Sequence, residues 1–290
     1  MSTTPRAVAR VITPEPVVEG AGVRLRRSLG TRTLDYLDPF LLLDHFESAN
    51  AADYEAGFPY HPHRGIETVT VVRKGEIQHA DSLGHRGTIG SGDIQWMTSG
   101  SGIMHEEMPQ VRAEGIGGLQ LWLNVPAREK MSPPKYRDLS SDRLTETATG
   151  QGARLRVIAG EVDGGRLVGP VEGLAVAPKF IDVTLPGGAV FREAVPRGHT
   201  AFAYVDHGEV RFGPEGTVAM APALVVFGDG DEIEAQAGPG GGRFLLAAAR
   251  PLGEPVARYG PFVMNTRAEI EQALADLRTG RFIRDEPRDT

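Results

Sequence analysis

The feature that most constrains this chain is a rhythm. Between Val23 and Phe262, short apolar or alternating runs recur, among them TVTVVRKGEI, GDIQWM, LQLWLNV, KFIDVTL, TAFAYVDHGEVRF and FLLAAA, each bounded by Gly, Pro, Asp or Ser. Alternation with period 2 places successive side chains on opposite faces of an extended segment, and turn residues cut the runs to strand length. The 37 Gly and 21 Pro show no collagen period, so they read as turn punctuation. The pattern predicts an all-β fold of barrels or sandwiches. A single stretch, about 266–279, reads as a helix. Thr266 and Glu269 have capping-box spacing, Ile270, Ala273, Leu274 and Leu277 share a face, and Gly280 follows the end.

A weak internal repeat adds a second constraint. RKGEI follows the alternating TVTVV, DHGEV follows TAFAY, and a Gly-Asp turn comes later in both. Two copies of one β-fold account for this, and 290 residues suffice for two domains of ordinary size. The charged, Pro-rich stretch from Arg128 to Gly152 lies between the copies. The expected domains are therefore 1–133 and 134–290, the second carrying the helix.

Several classes of function drop out. With no Cys, there is no disulfide, thiolate nucleophile or Cys-ligated metal, so any metal rests on nitrogen and oxygen. A formal net charge of −7 leaves no overall basic footprint for direct nucleic-acid binding. No run of 18 apolar residues suggests a membrane span, and the N-terminal stretch lacks a signal-peptide core, so a cytoplasmic location is the expectation.

Against this background, FPYHPHRGIETVTVV places His61 and His63 two residues apart. On a helix they would diverge; in an extended segment they share a face. Farther on, SGSGIMHEEMP gives His105 and Glu107 the same spacing. Facing pairs across a small barrel would gather three imidazoles and one carboxylate, a donor set suited to first-row transition metals with coordination positions left open. A lone H-x-H is more commonly a loop; the second pair in an all-β context favours a metal. His79 and His85 fall in a turn-rich connection and are expected to satisfy backbone groups, while His45 follows an apolar run and reads as core or barrel rim. Phe58, Trp96 and Met97 flank the motifs and read equally as core or as walls of a metal pocket.

FPYHPHRGIETVTVV, GHRGTIGSGDIQWMTSGSGIMHEEMP, GLQLWLN and RYGPFVMNT together resemble the pirin family, a branch of the cupins. The resemblance implies two antiparallel cupin barrels packed as a bicupin, with one transition-metal ion in the N-terminal barrel. Its motif maps onto His61, His63, His105 and Glu107. Iron as Fe(II) is the implied metal, with Zn, Ni, Mn or Cu able to replace it in isolated protein. Cupins in general often use a glutamate near the position of Glu67; here Glu67 is expected beside the ligands, orienting an imidazole, or else salt-bridged to Arg64 or Arg73. Aligning the repeats sets Ala194 and Pro196 opposite His61 and His63, and His199 and His207 stand alone, so the C-terminal barrel is expected to be metal-free. The implied activity is a dioxygenase of the quercetinase type, acting on a flavonol or related enol with dioxygen, Glu107 serving as general base. The alternatives are an iron-dependent redox sensor that binds a transcription factor or metabolic enzyme, and a metal-stabilised protein without turnover.

Overall fold

The computed structural model of the chain describes residues 3–148 and 152–284. Strands dominate, as the turn rhythm predicts, and they form two compact units, each a cupin-type β-fold. One unit comprises residues 15–142 and 252–290; the other comprises residues 1–14 and 143–251. The expected division at 133/134 thus moves to 142/143, and both termini belong to the unit that chain order would not give them. The stretch read as a linker contains the strand Lys135–Leu139, which pairs with Ile94–Thr98 and so remains in the first unit. At the N-terminus, Val8–Ile12 pairs antiparallel with Ala223–Phe227.

The unit that carries the histidine motifs has two large sheets, beside the two-stranded pair Ala257–Tyr259 and Phe262–Met264. Seven strands run in the order Lys135–Leu139, Ile94–Thr98, Ile66–Lys74, Ile116–Asn124, Phe40–Ser48, Val23–Leu29 and Glu15–Glu19. Four more run in the order Phe58–His63, Ile103–Pro109, Ile77–Asp81 and Arg86–Ile89. Register fixes which residues share a face: Thr68, Trp122, Leu42 and Met97 line up across the large sheet, as do Thr70, Gln120, Asp44 and Gln95. Val72 continues the same face into an apolar cluster with Val23, Leu25, Tyr54, Ile77, Ile89 and Ile116.

The other unit is built on a nine-stranded sheet whose longest members are Glu232–Ala249 and Thr200–Phe212. Alternate residues such as Ile181, Val183, Ala203, Val205, Phe244 and Leu246 form one continuous apolar core. Phe244 anchors it through edge-to-face contacts with Phe191 and Phe212, at centroid distances of 5.6 and 5.2 Å. The glycine-rich GPGGGR stretch lies inside the Glu232–Ala249 strand.

The two copies of the repeat share a backbone device. Gly75 and Gly208, the glycines of RKGEI and DHGEV, both adopt positive φ, of 82° and 72°. A Cβ on either would come within 2.4 Å of Gly115 O or 2.2 Å of Gly241 O, so only glycine fits.

The helix is α1, Arg267–Arg278, with Thr266 and Glu269 closing the expected capping box reciprocally. Its buried face is not wholly the expected stripe. Ile270 and Ala273 are buried against Phe262, Met264 and Phe282, whereas Leu277 is exposed and Asp276 is buried in its stead. Asp276 accepts a hydrogen bond from Arg64 Nη1 at 2.8 Å, a partner distant in sequence. Among the described residues, no helix is long and apolar enough to cross a membrane.

Candidate metal centre

His61 and His63 lie on the Phe58–His63 strand, where Pro59 and Pro62 favour extended backbone and cannot donate to a ladder. Register sets His105 opposite His61 and Ile103 opposite His63. Ring centroids of His61, His63 and His105 are separated by 4.5 to 5.0 Å, and one nitrogen from each lies within 4.8 Å of the others. His63 and His105 are buried. Burial first, and the neighbouring imidazoles second, push both well below the usual histidine range, which leaves the rings neutral and their lone pairs free at neutral pH.

The nitrogens of His61 and His105 that face away from the cluster are held. His61 Nδ1 donates to Pro59 O at 2.9 Å, which leaves Nε2 as an acceptor, 3.0 Å from His63 Nε2. His105 Nδ1 lies 3.0 Å from the Tyr136 hydroxyl, while its Nε2 is buried without a hydrogen-bond partner. A buried imidazole nitrogen is costly to leave unpaired, and three converging aromatic nitrogens, with the His61 and His105 rings anchored from behind, match how histidines hold a metal. The donor set fits a first-row transition metal, its identity left open by the imidazoles alone.

Glu107 stands apart from this group. The register slips between His105 and Glu107, so Glu107 faces Phe58 instead of extending the row of histidines. Both of its carboxylate oxygens accept from Gln120 Nε2 at 2.9 Å, and Thr70 Oγ1 adds a contact at 3.3 Å. Beyond it lies a cavity of about 30 Å³ walled by Val23, Phe46, Tyr54 and Ile77.

The remaining expected residues divide. Phe58 lines the same pocket as His61 and His63. Met97 lies opposite Thr68 and Tyr136, on the sheet face that carries Trp122. Trp96 lies on the reverse face with Glu67, whose carboxylate accepts from Trp96 Nε1 at 3.1 Å and Thr98 Oγ1 at 2.9 Å, not from an imidazole. Strand parity misleads for Glu67 because Gly65, at φ 78°, breaks the extended run between His63 and Ile66. Arg64 is no partner of Glu67; it is buried, donates to Ser101 O at 2.6 Å and packs on Phe282 at 4.5 Å. His79, expected to serve backbone groups, instead stacks on Tyr136 with centroids 5.6 Å apart and lies 3.4 Å from Asp138.

Sequence reasoning missed Tyr136, Gln120, Trp122 and Arg258. Trp122 meets His63 edge-on at 5.2 Å and forms one wall of an open pocket of about 630 Å³ in front of the histidines. In GLQLWLN a signal was present: Gln120 and Trp122 alternate with Leu119, Leu121 and Leu123, so one face of that strand, half-buried in the fold, is not aliphatic. Tyr136 gave no such signal, because its strand hides among prolines and charges.

The family profile described as Pirin matches residues 22–123, and the profile of the pirin C-terminal cupin domain matches residues 180–283. A pirin-like protein of Caulobacter vibrioides is 44% identical over 277 residues, covering 96% of this chain and 99% of its own length. Human pirin is 40% identical over 267 residues, covering 91% of this chain and 89% of its own. The crystal structure of a quercetin 2,3-dioxygenase from Acinetobacter baumannii superposes with a TM-score of 0.86 at 34% identity, covering 96% of this chain and 99% of the other. The three gathered imidazoles, the paired β-folds and these matches along both halves agree: the chain belongs to the pirin family.

Proposed function

We propose that this protein is a metal-dependent dioxygenase of the quercetinase type, acting on a flavonol or a related enol with dioxygen. The observation that carries the reading is the cluster of His61, His63 and His105 at the wall of an open pocket; the Acinetobacter relative's name supports the reaction class. These three imidazoles would hold the metal, with Glu107 as fourth ligand once its carboxylate turns from Gln120. Bound Fe(II) would supply a Lewis-acidic, redox-active centre. Pro59 and Tyr136 orient the His61 and His105 rings. Phe58 and Trp122 offer apolar walls to an aromatic substrate and limit water. When it is not a ligand, Glu107 takes the proton of the substrate enol while its carboxylate rests on Gln120.

Aerobic turnover of a panel of flavonols, catechols and enols by Fe(II)-loaded protein tests the reading. Ring-opened or oxygenated product is expected from at least one compound. A fully iron-loaded protein that turns over none of them would favour the redox-sensing regulator. Glu107→Gln sharpens the test: metal content should fall only in part, while turnover falls by about 10² or more, the scale for losing a general base. Wild-type activity per metal in that variant would remove Glu107 from both roles.

A further inference from the structure

We infer that Arg258 makes this pocket selective for substrates that carry a carboxylate in addition to the oxygens that reach the metal centre; the inference rests on the substrate-pocket reading above. Arg258 lies on the strand Ala257–Tyr259 and lines the same pocket as His61, His63 and Trp122. Its Cζ sits 5.4 Å from the Trp122 ring, and the edge of that ring meets His63 at 5.2 Å. A single indole therefore separates the guanidinium from the histidine cluster.

The other charges of the pocket are already engaged. Asp44 accepts from Arg27 Nε and Nη2 in two parallel bonds of 2.7 Å, and Glu19 accepts from Arg27 Nη1 at 2.7 Å. Arg258 makes no ion pair among the described residues. One Nη donates to Leu41 O at 3.3 Å, which together with the indole face fixes the side chain, and most of its five N–H donors have no hydrogen-bond partner among the described residues. A planar fork held in place and short of acceptors matches a carboxylate, which it can bind through two parallel hydrogen bonds. An uncharged flavonol would leave it unused.

Paired probes isolate the effect. Catechol and 3,4-dihydroxybenzoate present the same vicinal oxygens to a metal and differ by one carboxylate. Titrated into Co(II)-loaded protein and followed through the visible cobalt bands, 3,4-dihydroxybenzoate should bind about tenfold or more tightly than catechol, the range of one charge-assisted contact. In Arg258→Gln the preference should collapse to within about twofold, with catechol affinity in the same variant reporting that the pocket remains intact. Equal binding of both probes to the wild type, or a preference that survives in Arg258→Gln, overturns the role of Arg258 and leaves the pocket reading standing. If neither probe perturbs the cobalt bands, the pocket reading falls and the role of Arg258 with it.

Discussion

Along the strand Ile116–Asn124, the face directed at the histidine pocket carries Gln120 and Trp122, with Thr70, Thr68 and Asp44 beside them in register. Along Glu232–Ala249 in the other unit, the corresponding positions carry Phe244, Leu246 and Ala248, all fully buried. The two strands take part in the same kind of fold, and their glycine turns are interchangeable in role. The difference lies in what the interior is asked to do. An apolar interior gains hydrophobic and dispersion free energy from every side chain. An interior of imidazoles, carboxylates and amides gains little, since each desolvated polar group needs a partner to break even. One copy of the fold can hold chemistry while the other contributes packing.

Cutting the packed unit should give the largest effect on stability. Phe244→Ala removes the ring at the centre of an aromatic triad and should cost about 3–5 kcal/mol in chemical denaturation, the usual range for such a cavity. Metal content per folded molecule should not change. A drop in metal content parallel to the loss of stability would break the division of labour.

A somewhat smaller loss is expected where the polar unit is held by charge. Burial pulls Asp276 up, but hydrogen bonds from Arg64, Gln272 and Arg284 outweigh it and bring the carboxyl down to about 2 from an ordinary 3.8. A carboxyl lowered on folding contributes stability that is present above pH 4 and lost as pH falls from about 4 to about 2. For this shift the contribution is about 2 kcal/mol. Asp276→Asn should cost about 3 kcal/mol at neutral pH, because it leaves Arg64 buried without its counter-charge. It should also flatten the acid limb of the stability curve. An unaltered acid limb in the variant would show that this pair is not what titrates.

The smallest effects on stability should come from the histidines, and they separate the units most sharply. Without metal, His105→Ala should shift stability by about 1 kcal/mol, since its Nε2 has no partner to lose and its Nδ1 gives up a single hydrogen bond to Tyr136. Metal retention, read by elemental analysis after matched loading, should fall at least tenfold as one of three imidazole donors disappears. His207→Gln, an exposed position in the apolar unit, should move stability by less than about 0.5 kcal/mol and leave metal content unchanged. Equal metal loss in both variants would place a donor where none is expected.

Much of this is legible in the sequence alone. Period-2 alternation and turn residues carry the all-β fold because they are local, and so does the capping box of α1, which depends on Thr266 and Glu269 alone. His61 and His63 were readable because H-x-H in an extended run forces a common face, and His105 because it heads a second pair of the same spacing. Glu67 was misplaced because one left-handed glycine, Gly65, resets strand parity without leaving a mark in the hydrophobic pattern. The separation of Glu107 from the histidines follows from a register slip, which depends on how two strands pair and is invisible in either strand by itself. Asp276 and Tyr136 escaped notice for a related reason: their partners, Arg64 and His105, are brought near only by the fold.

The placement of the C-terminal segment has a consequence for the order in which the protein matures. Arg64, next to His63 in sequence, has its guanidinium satisfied by Asp276 and by the carbonyl of Phe282. Lys130 likewise donates to Gly65 O at 2.7 Å and to Val263 O at 2.8 Å. A ribosome that has made only residues 1–142 has supplied every histidine of the cluster, yet two buried basic side chains beside it, Arg64 and Lys130, still lack partners that are translated last. The histidine-bearing unit has its cluster early and is finished last, so a nascent or truncated chain ending before α1 would present its histidines from a scaffold whose buried basic side chains still lack acceptors.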